Sequence, residues 1–437
     1  MSSYVTRKTP GDTTWFTNDR FGMFIHYGVY SLAARREWLK NLENMSDEKY
    51  DSYIQYFNPD LFDAKEWAKK AKEAGMKYAV LTTKHHDGFC MFESKYTDYT
   101  IMNTPFNRDL VKEYVEAFRA EGLKVGLYYS LIDWHHPDFT IDWLHPRQHD
   151  ENAEKLNEGR DMKKYAQYMK DQIRELLTNY GKIDILWFDF SYTEHGYGHV
   201  KPDEPVAEFT RDFPKGPEQW DSENLIKMIR ELQPGIILNN RAGIEQDFTT
   251  PEQMIPDKWC THKETGELIV WESCQTLAGS WGYNRDENWT WKSPETLLQL
   301  LINCVSLGGN LIMNVGPTSR GCFDDRADNA LDVYAKWMKY HSRSIYGCTM
   351  AEPEFTAPVG CRLTQSNDGK RLYLHLFEYT GKDVLIANLA DKVKYAQLLH
   401  DGSEIQYTTS ENGYVKFRLP QCRPNVVIPV IEFFLKD

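Results

Sequence analysis

Apolar residues fall in two alternating rhythms along most of this chain. Short runs that are apolar almost throughout alternate with longer stretches whose apolar residues recur three and four apart. The first rhythm predicts strands covered on both faces, and the second predicts amphipathic helices. Phe21–His26 is the first strand. A helix over 63–74 ends at Gly75, and a strand over 76–83 follows. Residues 107–121 form a helix with Leu110, Val111, Tyr114, Val115 and Phe118 on one stripe, stopped by Gly122. Then come a strand over 124–130, a helix over 161–180 and a strand over 181–190. A helix over 222–232 leads into a strand over 235–239. After a looser stretch, Glu267–Trp271 reads as a strand with Glu272 at its end. Ser293-Pro294 opens a helix, with serine as N-cap and proline in the first turn. A strand over 310–315 and a helix over 327–340 complete the series.

This alternation means βαβ units on a parallel sheet. An open doubly wound sheet would satisfy it. Polar residues close so many of the strands that an irregular TIM-like (β/α)8 barrel suits the pattern better. The loose stretch over 242–290 predicts one or two missing or irregular helices. After about residue 350 the rhythm changes to short strands, over 371–377, 383–386, 393–398, 405–408, 414–419 and 426–434, separated by Gly, Asp, Asn and Pro. These predict an antiparallel β-sandwich. The expected division is a barrel over 1–348 and a sandwich over 349–437.

Composition narrows the function. A net charge of −13 argues against a nucleic-acid surface. Aromatics make up 14% of the chain, with 13 Trp and 26 Tyr, which suits sugar platforms and a Trp-rich core equally. Eight cysteines without a CxxC pair predict mostly free thiols in a reducing compartment. The first residues lack the apolar core of a signal peptide, and no run is long enough to span a membrane. The default expectation is a cytoplasmic protein.

The strand ends and neighbouring loops carry the candidate chemistry: His26, Glu37, Trp38, His85, His86, Tyr128, Asp189, Arg241, Glu252 and Glu272. His85-His86 lacks the H-x-H spacing of a strand metal site, since adjacent strand residues point to opposite faces. No metal and no cofactor is expected. GxGxxG, the P-loop and GxSxG are absent from the sequence. Paired carboxylates remain, as glycoside hydrolysis needs. Asp189 leads, with Glu252 or Glu272 as partner; a structural cap is the bland alternative for a strand-end aspartate.

The stretches WFTNDRFGMFIHYGVYS (15–31), EW (37–38), KYAVLTTKHHDGF (77–89), GLYYS (126–130), ILWFDF (185–190), NNR (239–241), WES…SWGYNRDE (271–287) and SLGGNLIMNVGPTSRG (306–321) together make the chain resemble the α-L-fucosidases of glycoside hydrolase family 29. The resemblance implies a barrel followed by a β-sandwich and a retaining exo-α-L-fucosidase acting on fucosylated oligosaccharides or glycoconjugates. It places Asp189 as the nucleophile and Glu252 as the acid/base, with Glu272 as runner-up. His26, Glu37, Trp38, His85 and His86 match positions that hydrogen-bond fucose hydroxyls. Tyr128 and Arg241 match the nucleophile side of the pocket, and Phe24 and Trp281 match rings against the C5 methyl. One departure stands out: many relatives have glycine after the nucleophile, where this chain has Phe190. A fucose-binding protein that has lost catalysis, or a glycosidase for another 6-deoxy or galacto-configured sugar, are the competing readings.

Overall fold

Seven short strands carry the first part of the fold: β1 (Phe21–Ile25), β2 (Tyr78–Lys84), β3 (Lys124–Ser130), β4 (Ile185–Asp189), β5 (Ile237–Leu238), β6 (Glu272–Thr276) and β7 (Asn310–Val315). In the computed structural model, which describes residues 3–192, 213–410 and 413–436, they form one sheet in the order β5-β4-β3-β2-β1-β7-β6. Every ladder is parallel. The longer helices among the described residues accompany them: α1 (Ala64–Glu73), α2 (Leu110–Ala120), α3 (Met162–Asn179), α4 (Ser222–Leu232), α5 (Pro294–Ser306) and α6 (Asp325–His341). Local chemistry sets their ends. The side chains of Asp63, Asp109, Asp161, Ser293 and Asp324 each accept a backbone N–H of the first turn. Gly75 and Gly122 stop α1 and α2 with φ near +80°.

Residues 248–252 close the ring between β5 and β6. Asn239 bridges Phe248, Thr249 bridges Trp271, and Glu252 bridges Cys274, all in parallel. They stand in the eighth strand position without forming a regular strand. Between β5 and β6 the described residues contain only a short 3-10 turn, Asn240–Ala242. The expected irregularity of the (β/α)8 barrel is located here. β5 is short because the Asn239 side chain takes over its ladder: the amide accepts from the Phe188 N–H at 3.0 Å and donates to the Phe188 carbonyl at 2.8 Å.

One strand lies elsewhere than the apolar pattern predicts. Glu267–Trp271 is not β6. The ladder against β7 begins at Glu272, opposite Asn310, and runs through ESCQT. These residues are fully covered yet polar, because Ser273 donates to the Met254 carbonyl and Gln275 donates to Ser273. A strand whose polar side chains find partners elsewhere in the fold does not advertise itself as an apolar run.

The barrel interior holds a compact cluster that includes Phe24, Tyr78, Tyr128, Trp187, Phe248 and Ile312. After Ser344 the chain forms two antiparallel sheets. One has the order β12-β15-β10-β9-β8, and the other β11-β14-β13. Their strands are β8 (Cys348–Met350), β9 (Cys361–Ser366), β10 (Arg371–Leu376), β11 (Asp383–Ala387), β12 (Val393–Leu398), β13 (Tyr407–Thr409), β14 (Tyr414–Arg418) and β15 (Val430–Leu435). The apolar pattern missed β8 and β9. The five-stranded sheet is tied to the barrel through buried groups. Arg20 Nε donates to the Cys348 carbonyl, Trp337 Nε1 to the Ile428 carbonyl, and Thr364 Oγ1 to the Ser344 carbonyl. All eight cysteines are free thiols. No described helix is long and apolar enough to cross a membrane.

Candidate active site

Asp189 is the last residue of β4, at the C-terminal rim of the barrel, where parallel strands aim their final side chains into the mouth. Its carboxylate is held on both oxygens. Tyr128 OH donates to Oδ2 at 2.9 Å, and Arg241 Nη1 donates to Oδ1 at 2.7 Å. Arg241 follows the two-residue β5 in the 3-10 turn, which lays its guanidinium over the Trp187 ring at 4.7 Å. Its Nε donates to Thr250 Oγ1 at 2.8 Å, and its Nη2 lies 2.8 Å from Glu252 Oε2. One planar fork therefore holds Asp189 and Glu252 side by side. Glu252 reaches this position because the eighth-strand segment ends there, paired with Cys274 of β6.

Histidines line the same cavity. His26, just beyond β1, places Nδ1 2.6 Å from Asn314 Oδ1, and Asn314 Nδ2 donates to the Trp281 carbonyl at 2.7 Å. That second bond fixes the amide, so His26 Nδ1 carries the proton and Nε2 is an acceptor. His86 repeats the arrangement. Its Nδ1 is 2.7 Å from Ser130 Oγ, whose own proton goes to the Ile132 carbonyl at 2.8 Å. His86 Nε2 is thus a second acceptor, 3.9 Å from Asp189 Oδ2. Burial pushes both imidazoles down to about 3, so both are neutral near pH 7. Burial also lowers His85, with His86 and His26 adding to it. Glu37 accepts the Gly282 N–H at 2.7 Å, and burial pushes its carboxyl up.

The cavity is about 380 Å³, within the range of small-ligand clefts. It brings together Phe24, His26, Glu37, Trp38, His85, His86, Tyr128, Asp189, Glu252 and Trp281, all named from sequence. Arg241 joins them through both carboxylates. His85 and His86 share one cavity although adjacent strand residues point apart. β2 ends at Lys84, and the turn beyond it turns both rings inward, 4.0 Å apart. Among the described residues, no group of three or more His, Cys, Asp or Glu is arranged to hold a metal ion.

Glu272 is the correction. It is the first residue of β6, at the opposite, N-terminal end of the barrel, where it accepts a hydrogen bond from Tyr78 OH. It does not line the cavity, and the misplaced strand had put it at the wrong end. Sequence reasoning missed Asn314 and Ser130, which set the histidine tautomers, Thr250, which orients Arg241, and Trp187, the floor beneath the fork. Asn314 had a visible signal: a polar residue inside the apolar run NLIMNV. Thr250 had none.

The α-L-fucosidase family profile matches residues 2–343. The structure of α-L-fucosidase isoenzyme 1 from Paenibacillus thiaminolyticus superposes with a TM-score of 0.87 at 41% identity, covering 97% of this chain and 99% of that one. A Bacteroides thetaiotaomicron family 29 α-L-fucosidase, captured as a covalent intermediate with 2-fluoro-fucosyl fluoride, superposes at 0.81 with 26% identity and 99% coverage of both chains. Human plasma α-L-fucosidase is 28% identical over 93% of this chain and 85% of its own length. With a matching profile over most of its length and the same barrel, the chain belongs to the α-L-fucosidase family, glycoside hydrolase family 29.

Proposed function

We propose that this protein is a retaining exo-α-L-fucosidase that removes terminal α-L-fucose from fucosylated glycans by double displacement. The single observation that carries the assignment of roles is the Arg241 fork, which presents Asp189 and Glu252 to the same cavity. Asp189 attacks C1 through a carboxylate oxygen as the bond from C1 to the leaving oxygen breaks. Glu252, held by Arg241 at Oε2, gives that oxygen its proton. Water then loses a proton to Glu252 and attacks C1, and the bond to Asp189 breaks. Two inversions give net retention, and the geometry this route needs is a carboxyl separation of about 5–5.5 Å with the sugar bound. The relative trapped as a covalent intermediate supports the same two-step route.

The acceptor nitrogens of His26 and His86 suit sugar O–H groups, and Glu37 offers a further acceptor. Phe24 and Trp281, with ring centroids 6.0 Å apart, give an apolar wall. A C5 methyl packs against it. The hydroxymethyl of a galacto-configured sugar would set a hydroxyl there without a partner, at a cost of about 1–3 kcal/mol. That favours fucose over the galactose reading, and the presence of both carboxylates favours an enzyme over a binding protein.

The test is hydrolysis of an aryl α-L-fucoside by the wild type, Asp189→Ala, Glu252→Ala and Glu272→Ala, with and without azide. Asp189→Ala should be inactive and yield β-fucosyl azide on rescue, and Glu252→Ala should yield the α-azide. An α-azide from Glu272→Ala instead, or near-normal turnover by Asp189→Ala, would overturn the assignment.

A further inference from the structure

Three non-glycine residues in the left-handed backbone region each abut a cavity carboxylate: Arg36 (φ 70°) precedes Glu37, Phe190 (φ 64°) follows Asp189, and Gln253 (φ 53°) follows Glu252. Phe190 is the least natural of these, because a bulky aromatic gains nothing from the conformation that glycine adopts freely. Such outliers persist only where the surroundings over-determine them, and they cluster at functional sites. The bend at Phe190 is held on its far side. Ser191 Oγ donates to the Arg241 carbonyl at 2.7 Å and accepts Trp220 Nε1 at 2.9 Å. Tyr192 OH donates to Asp142 Oδ2 at 2.5 Å, and buried Lys215 pairs with the same oxygen at 3.1 Å.

The side chain lies where this strain would be useful. Phe190 lines the cavity and is half-buried. Its ring packs edge-on against His86 at 5.0 Å and Trp38 at 5.7 Å. Exposure separates floor from mouth. Phe24, Tyr128 and Trp187 are at most 2% exposed, whereas Trp38 and Phe190 are only partly covered and Leu42 is 59% exposed. A terminal sugar that uses the buried acceptors fills the floor. Whatever is attached to it must then project through the mouth, past Phe190.

We propose that Phe190 is a specificity-determining residue: with Trp38 it forms an apolar platform at the mouth for the ring of the departing group, a pyranose face or an aryl ring. This rests on the fucosidase reading above. A ring on a ring gains stacking that a ringless leaving group cannot.

The experiment compares kcat/KM for α-L-fucosyl fluoride, whose leaving group has no ring, with an aryl α-L-fucoside and a fucosyl disaccharide. The enzymes are the wild type, Phe190→Ala, Phe190→Leu and Phe190→Tyr. For Phe190→Ala the ratio of kcat/KM on either ring-bearing substrate to that on the fluoride should fall about 10-fold. Phe190→Tyr should restore the ratio, and Phe190→Leu should fall between. If Phe190→Ala does not fold, the Leu and Tyr variants alone decide the question. Equal losses on all three substrates would mean that Phe190 only props His86 and Trp38, and unchanged ratios would mean that the departing ring never meets it; either result overturns the platform. A wild type inactive even on the fluoride would instead sink the fucosidase reading itself.

Discussion

Arg241 is one guanidinium serving two carboxylates. A lysine at this position could neutralise charge but could not engage Asp189, Glu252 and Thr250 at once from a fixed plane. Arg241→Lys should therefore cost roughly 100-fold in kcat/KM, comparable to losing a preorganised donor. Steady-state kinetics on an aryl α-L-fucoside check this, and a loss of less than about 5-fold would mean that the fork is ornamental. Asn314 acts at the same scale but through His26. Without its Oδ1, the imidazole is free to move its proton to Nε2 and lose its acceptor face. Asn314→Ala should raise KM about 10-fold while kcat changes less, because a ground-state contact is loosened.

Between β1 and β2 the packing leaves no room for a side chain at Gly22. Gly22 lies under the Tyr78 ring, and a Cβ there would come within 2.1 Å of it. Gly22→Ala should lower stability by about 3 kcal/mol, read as a fall in the urea midpoint, since neither strand can move without dragging its ladder. The start of β6 has its own signature in pH. Burial raises the Glu272 carboxyl to about 8, so the folded state keeps a proton that the unfolded chain releases near its ordinary value. Between those two values the folded state binds more protons, and stability falls as pH rises. The slope is at most about 1.4 kcal/mol per pH unit. Glu272→Gln removes this dependence. Its stability relative to the wild type should grow from pH 5 to pH 8, and a pH-independent difference in denaturant titrations would show that Glu272 is ionised in the fold.

For the whole molecule the buried histidines dominate on the acid side. His26 and His86 in the site lie near 3; His341 and His375, where the C-terminal sheet meets α6, lie near 4 and 3. Burial is the first cause of each shift. All four are neutral when folded and bind protons near 6.5 when unfolded. Their contribution is complete above about 6.5 and is lost as pH falls from there toward 3. Thermal unfolding should move to lower temperature between pH 7 and pH 5, and the change should be smaller in a His341→Gln variant. A midpoint that does not move would mean that these rings are charged in the native state.

Much of this was legible without coordinates, for physical reasons that are local. Aspartates and serines cap helices from the adjacent residue, glycines stop them, and a strand buried on both faces is mostly apolar unless distant partners satisfy its polar groups; so β3 and β7 fall where the pattern puts them. The pocket side chains were legible because strand ends of a parallel barrel share one rim, and because the motifs around Asp189, His85-His86 and Asn239-Asn240-Arg241 recur in one family. β6 escaped because its polar residues are satisfied by partners such as Met254, distant from the run that looked like a strand, and Glu272 was carried to the wrong end with it. The tautomers of His26 and His86, the sharing of Arg241 between two carboxylates and the left-handed turn at Phe190 were decided only by tertiary structure. Each depends on which groups meet across the barrel, and no periodicity along the chain encodes a meeting between residues fifty or three hundred positions apart.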